Sequence, residues 1–137
     1  MSRGGVDFWD IGVQTGPPMP QREPVKLVFS LEQRPAGLLV SMSGELGMPP
    51  NTESLRSELN RITEAHPRVV VIDLSGLTFM SSLGIGLLAE AHRGLRQHDG
   101  RIRLCALQPR VMEVLQRCRM TKVFEIFENT EAAFAAS

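Results

Sequence analysis

The sequence predicts an α/β layer fold: a mostly parallel sheet with one antiparallel edge strand and about four helices packed on it. Three observations carry this reading. Val69-Val70-Val71-Ile72 is a continuous β-branched run, as suits a strand covered on both faces of a parallel sheet. Downstream of it, strand-like stretches alternate with helical ones. Upstream, two short strand-like segments flank the turn signal Arg34-Pro35-Ala36-Gly37, the pattern of a hairpin.

Regular structure is expected to begin near Val25. Leu27 and Phe29 alternate with Lys26, Val28 and Ser30, and Leu38-Leu39-Val40-Ser41-Met42 returns as the second strand. Gly44-Glu45-Leu46-Gly47 and Pro49-Pro50 follow, and Asn51 or Thr52 can cap the first helix, with Glu53 in its first turn. Leu55, Leu59 and Ile62 share one face of that helix, and His66-Pro67 ends it. The β-branched run comes next and is expected to end at Asp73. A second helix starts at the Ser81-Ser82 pair, carries Leu87, Leu88, Ala91 and Leu95 as its stripe, and stops at His98-Asp99-Gly100.

Ile102, Leu104 and Ala106 then alternate with Arg101, Arg103 and Cys105 as a strand. Pro109 suits the first turn of a third helix, with Val111, Val114, Leu115 and Cys118 facing inward. Val123, Phe124, Ile126 and Phe127 read as a short last strand, and Asn129 or Thr130 caps a final helix with Ala132, Ala133 and Phe134. Residues 1–24 show no strand or helix period. They hold Gly16-Pro17-Pro18-Met19-Pro20 and Pro24, and read as a flexible or loosely packed tail ahead of a single domain, 25–137. Phe8, Trp9 and Ile11 are the exception there, able to pack onto the domain or onto a partner.

Bulk composition excludes several classes. The chain has 137 residues, 42% hydrophobic, enough for one core. Lys plus Arg and Asp plus Glu are 15 each, so the basic excess expected of a phosphate-binding nucleic-acid protein is missing. No apolar run approaches the roughly 20 residues of a membrane span, and the N-terminus lacks a secretory signal's apolar stretch. A cytoplasmic location is expected. Cys105 and Cys118, in apolar-periodic segments, read as reduced core residues.

The strongest local signal is the segment Asp73-Leu74-Ser75-Gly76-Leu77-Thr78-Phe79-Met80-Ser81-Ser82-Leu83-Gly84. It places Ser82 at a helix start, at the carboxyl end of the sheet, where open α/β sheets bind ligands and partners. A helix N-terminus offers unpaired N–H groups and a positive dipole end, so it can hold an anion, including a phosphate on its own serine. By spacing alone Ser81 and Ser82 read first as helix caps. Leu83 could point outward beside Ser82 and join Met48, Pro49 and Pro50 in an apolar patch suited to a protein interface. Its spacing to Leu87 equally suits core.

Other chemistries fit less well. A nucleophile elbow needs G-x-S-x-G; Ser82 has Gly84 after it but Met80 before it. The histidines beyond Ser82, His92 and His98, lie on or just after the same helix, where neither folds back readily onto its start. His66, His92 and His98 are scattered, without H-E-x-x-H or paired C-x-x-C, so no metal site is expected. Gly84 and Gly86 precede no phosphate-loop lysine. They read as sites of close helix–strand approach, and no cofactor is expected.

Four stretches together resemble the STAS domain of bacterial anti-sigma factor antagonists: Ser43-Gly44-Glu45-Leu46, Val70-Val71-Ile72-Asp73-Leu74-Ser75-Gly76-Leu77, Phe79-Met80-Ser81-Ser82-Leu83-Gly84-Ile85-Gly86, and Leu104-Cys105-Ala106-Leu107-Gln108-Pro109. The resemblance covers about Val25 to Phe134. It implies a non-enzymatic switch that binds an anti-sigma factor, itself a serine kinase, while unphosphorylated. It implies release on phosphorylation of a helix-start serine, reversed by a phosphatase. The family run is Asp-Ser-Ser-Gly-like. Placed on this chain, Ser81 stands at the acid, Ser82 at the acceptor, Leu83 at the second serine and Gly84 at the glycine. Gly47 stands where an acid often follows Gly-Glu-Leu. Ser81 is the alternative acceptor. The partner surface implied is Glu45, Gly47, Met48, Ser81, Ser82, Leu83 and Gly84. A constitutive STAS subunit of a signalling or lipid-transport complex is the second expectation, and a small serine hydrolase a distant third. A sulfate transporter's membrane region is not expected.

Overall fold

In a computed structural model, residues 25–136 are described. The tail expected over residues 1–24 lies outside them. A five-stranded sheet runs in the order β1-β2-β3-β4-β5: β1 Val28–Arg34, β2 Gly37–Leu46, β3 Val69–Met80, β4 Arg101–Cys105 and β5 Glu125–Phe127. β1 pairs antiparallel with β2, and every other pair is parallel. The expected hairpin with one antiparallel edge is therefore present. Among the described residues the helices are α1 Asn51–Glu64, α2 Ser82–Arg96, α3 Pro109–Arg117 and α4 Thr130–Ala135, with a 3-10 turn at Met120–Lys122.

The larger core lies between one sheet face and α1, α2 and α3. Val40, Met42, Val70, Ile72, Leu74, Ile102 and Leu104 meet Leu55, Leu59, Leu87, Leu88, Leu95, Val111 and Leu115 there. Each fully buried aliphatic side chain contributes about 1.5–3 kcal/mol. The stripes expected on α1 and α2 are buried, and on α3 Val111 and Leu115 are buried while Val114 and Cys118 are half-buried. The other sheet face is covered near its centre by α4, whose Ala133 packs with Leu39, Val71 and Cys105.

That second layer completes the reading of β4. Cys105 is buried as expected, and α4 buries Arg103 as well, a charge that the alternation alone does not place in the interior. Arg103 is held by Glu125 Oε1 at 3.0 Å and by the carbonyl oxygens of Ala133 and Ala136 at 2.9 and 3.0 Å. Both described thiols are free, Cys105 buried and Cys118 half-buried. Burial, with Asp73 nearby, pushes the Cys105 thiol pKa up.

Three further boundaries differ from expectation. β3 does not end at Asp73. Its pairing with β4 stops at Asp73↔Cys105, but its pairing with β2 continues to Leu46↔Met80 through two register shifts. Leu74, Leu77 and Met80 are buried, so the apolar gain carries the strand past Ser75 and Gly76. The cap of α1 is Pro50, without a side-chain bond. Asn51 instead donates from its amide to the carbonyl oxygens of Val25 and Glu45, at 2.9 and 2.8 Å. The last strand is shorter than expected, since Met120–Lys122 turns first and leaves Val123 exposed and Phe124 in the core.

Gly44 has φ +110, and a Cβ there would collide with the Lys26 carbonyl oxygen. Its bare backbone lets residues 25–27 run alongside the end of β2.

Candidate functional site

β2 and β3 end side by side, so the sequences that follow them meet at one end of the sheet. β3 passes into α2 through Ser81 alone. The Ser81 backbone is extended (φ −95°, ψ 170°), and its side chain caps α2 by accepting from the Gly84 N–H at 3.4 Å. The Ser81 N–H donates to the Leu46 carbonyl oxygen at 2.8 Å, and its hydroxyl donates to the Gly47 carbonyl oxygen at 2.9 Å. Ser81 is thus both helix cap and clasp to the β2 end.

Ser82 is the first residue of α2 and is exposed. Its hydroxyl meets no hydrogen-bond partner among the described residues. The helix dipole and free N–H groups of the first turn favour negative charge at this position.

Gly84 is buried against Leu46. A Cβ there would lie 2.6 Å from Leu46 Cγ, so close approach explains this glycine. Gly86 faces open space, and the same explanation does not extend to it.

Leu83 is 48% exposed, Met48 58% and Phe79 45%. The outward option for Leu83 therefore holds over the core option. Phe79 was not singled out from sequence. It lies in the part of β3 beyond Asp73, where the strand was expected to have ended, and its ring packs on Gly47, where an added Cβ would come within 2.7 Å. An aromatic residue two positions before the serine pair was the available signal. Met48, Phe79 and Leu83 are exposed large apolar residues next or nearly next in sequence to the clasp residues Gly47 and Ser81, and are read as an apolar rim.

Glu45 has a different place from the rim. Its carboxylate accepts the Val25 N–H at 3.1 Å, and its own N–H donates to the Val25 carbonyl oxygen at 3.2 Å. It anchors the start of the described chain beside β2.

The histidines stand away from Ser82. His92 is ten residues further along α2, about 15 Å at 1.5 Å per residue. Its Nδ1 accepts the Ile102 N–H at 3.0 Å, and its ring tilts against Phe124. Burial, then Arg96 and Arg101, lower its pKa. His66 and His98 stack on each other, with ring centroids 3.9 Å apart. No group of three or more His, Cys, Asp or Glu among the described residues could hold a metal ion. No described helix is long and apolar enough to cross a membrane.

A parallel sheet delivering a capped helix start, an exposed serine and an apolar rim to one end defines a small α/β interaction domain. The family model for the STAS domain matches residues 29–133, and the chain belongs to the STAS family. Among curated relatives it is 33% identical over 100 residues to BtrV of Bordetella bronchiseptica, whose name assigns it provisionally to the anti-sigma factor antagonists; the match spans 73% of this chain and 86% of that protein. Its fold is similar to that of an anti-sigma factor antagonist from Mycobacterium paratuberculosis, with a TM-score of 0.73 and 24% identity over 82% of this chain and 95% of that one. It is also similar to the phosphorylated form of the Bacillus cell fate determinant SpoIIAA, with a TM-score of 0.61 and 23% identity over 77% and 94%.

Proposed function

We propose that this chain is an anti-sigma factor antagonist whose binding is switched by phosphorylation of Ser82. In this reading Met48, Phe79 and Leu83, with Gly47 and Gly84 beneath them, dock on an anti-sigma factor that is also a serine kinase. A phosphatase restores the unphosphorylated form. Those partners place the chain in the cytoplasm, and it acts by binding rather than by catalysis.

The observation that carries this reading is the division of labour between the two serines. Ser81 spends its hydroxyl on Gly47 and its lone pairs on Gly84, while Ser82 is exposed and its hydroxyl has no partner among the described residues. A kinase reaching this helix start meets Ser82 as the available nucleophile. Phosphate adds about −1.5 to −2 charges at neutral pH. The helix N-terminus tolerates that charge, but an apolar interface closing over Leu83 would have to desolvate it.

The departure at Ser81 fits the same account. Serine and aspartate are comparable N-caps, so Ser81 keeps the cap that an aspartate would supply. It omits a negative charge next to the phosphate, which removes a repulsive neighbour from the phosphorylated state.

Incubation with a cognate kinase and ATP, followed by peptide mass spectrometry, tests the reading. Phosphate is expected on Ser82 and absent in Ser82→Ala. Calorimetry against the partner is expected to show Ser82→Asp binding at least tenfold more weakly than Ser82→Ala. Equal affinities, or no phosphate on either serine, would favour a constitutive STAS subunit instead.

A further inference from the structure

We propose that the cavity between the end of α2 and the starts of β4 and β5 binds a phosphate group, free or carried by a small ester, through Arg96, Arg101 and His92. The cavity measures about 230 Å³ and is lined by His92, Arg96, Arg101, Ile102, Val123 and Glu125. His92 and Arg96 are four residues apart on α2 and so share a face of it. Arg101 and Ile102 open β4, Glu125 opens β5, and the parallel pairing Arg103↔Glu125 sets those two starts side by side. This is the opposite end of the sheet from Ser82. Arg96 lies 14 residues beyond Ser82 on α2, about 21 Å at 1.5 Å per residue. The site is therefore independent of the switch reading above, and a phosphate on Ser82 is not its occupant.

Charge balance at the cavity favours an anion. Glu125 is the one acid among the lining residues. Its Oε1 accepts from Nε of buried Arg103 at 3.0 Å and lies 3.8 Å from Nη1 of Arg101. Arg96 is exposed, without a hydrogen-bond or ion-pair partner among the described residues. Three guanidinium groups against one carboxylate leave an excess that matches a doubly charged anion. The carbonyl end of α2 does not absorb Arg96 either. The N–H groups of Asp99 and Gly100 already donate to the Arg96 and Leu95 carbonyl oxygens, at 3.2 and 2.8 Å.

His92 adds a neutral donor. Its Nδ1 accepts the Ile102 N–H, so in the neutral ring the proton sits on Nε2. That N–H has no partner among the described residues. Burial and the two arginines hold the ring's pKa below its ordinary value, which keeps the ring neutral and this tautomer in place near neutral pH. Two guanidinium forks and one N–H suit the oxygens of a tetrahedral dianion, whereas a carboxylate offers one charge and two oxygens to the same donors. Ile102 and Val123 supply the apolar part of the lining, against which a short organic group on the phosphate can rest.

NMR titration of the full chain with inorganic phosphate at about pH 7.5, with ionic strength held constant by sodium chloride, tests the site. Saturable shifts are expected at the Ile102 amide and the His92 ring. Arg96→Gln, a change at an exposed side chain, is expected to bind about tenfold more weakly, and Arg101→Gln likewise, with amide spectra verifying that both remain folded. Bound phosphate is also expected to raise the midpoint of the His92 titration, because it offsets the two arginines. Glycerol 3-phosphate binding more tightly than inorganic phosphate would identify an ester as the source, and equal or weaker binding would identify the free ion. Shifts that never saturate would overturn the proposal. So would affinity unchanged in both variants, or acetate binding as tightly as phosphate.

Discussion

The Ser81 hydroxyl donates to the Gly47 carbonyl oxygen at 2.9 Å while Ser81 Oγ accepts the Gly84 N–H. One side chain therefore joins the end of β2 to the start of α2. Ser81→Ala is expected to cost about 1–2 kcal/mol in urea unfolding, the loss of a helix cap plus an orphaned carbonyl. Ser82→Ala, which removes only an exposed hydroxyl, is expected to stay within about 0.5 kcal/mol of wild type. Equal losses for the two variants would contradict this division of roles.

Gly84 and Gly86, both near the start of α2, should respond oppositely to alanine. At Gly84 a Cβ meets Leu46 Cγ at 2.6 Å and the Leu46 carbonyl oxygen at 3.2 Å, in a fully packed place. Gly84→Ala is expected to destabilise by about 1–3 kcal/mol through overpacking. Gly86 meets nothing within 4 Å, so Gly86→Ala is expected to stabilise by about 0.4–1 kcal/mol through helix propensity and a less disordered unfolded chain. Denaturant midpoints of both variants decide it, and a stable Gly84→Ala would show that α2 can shift away from β2.

Much of this architecture was legible because local signals agreed with tertiary ones. Val69–Ile72, the Leu87/Leu88/Ala91/Leu95 stripe, Pro109 at a helix start and the Asn129 cap all take their expected places. What escaped was set by contacts distant in sequence. The strand was expected to end at Asp73, yet β2 alongside carries it on through Ser75 and Gly76. The burial of Arg103 depends on Ala133 in α4 and Ala136 just after it, some thirty residues later, which supply two carbonyl acceptors. At the site, the serine pair and Met48 were visible as residue types. Phe79 was hidden because its exposure depends on that unforeseen extension of β3, and the exposure of Leu83 was not decided by its spacing to Leu87.

Arg103 should prove to be the fastening of α4. Its guanidinium bonds Glu125 and two carbonyl oxygens from the chain's last described turn, and it lies beside the Phe127 ring. Arg103→Ala leaves the Ala133 carbonyl oxygen without its donor, while half-exposed Glu125 can rehydrate. A loss of about 2–3 kcal/mol is expected, near the lower end for breaking a buried pair. Amide hydrogen exchange over residues 130–136 should rise more than over α1. Uniform loss of protection across the domain would instead mean that α4 is integral to the whole fold.

Stability should fall as the solution is acidified, with His92 contributing. Its Nδ1 must be unprotonated to accept the Ile102 N–H, and Arg96 and Arg101 oppose a proton there while Glu125 favours one. The folded pKa is thus below the unfolded value of 6.5. Above that value neither state is protonated and the group is neutral to stability. Below it the unfolded chain takes up the proton first, so stability is lost down to the folded pKa. Urea unfolding at about pH 7.5 and about pH 5.5, spanning the ordinary histidine range, should show a larger loss in wild type than in His92→Gln. Identical losses would mean that His92 contributes nothing to the acid dependence.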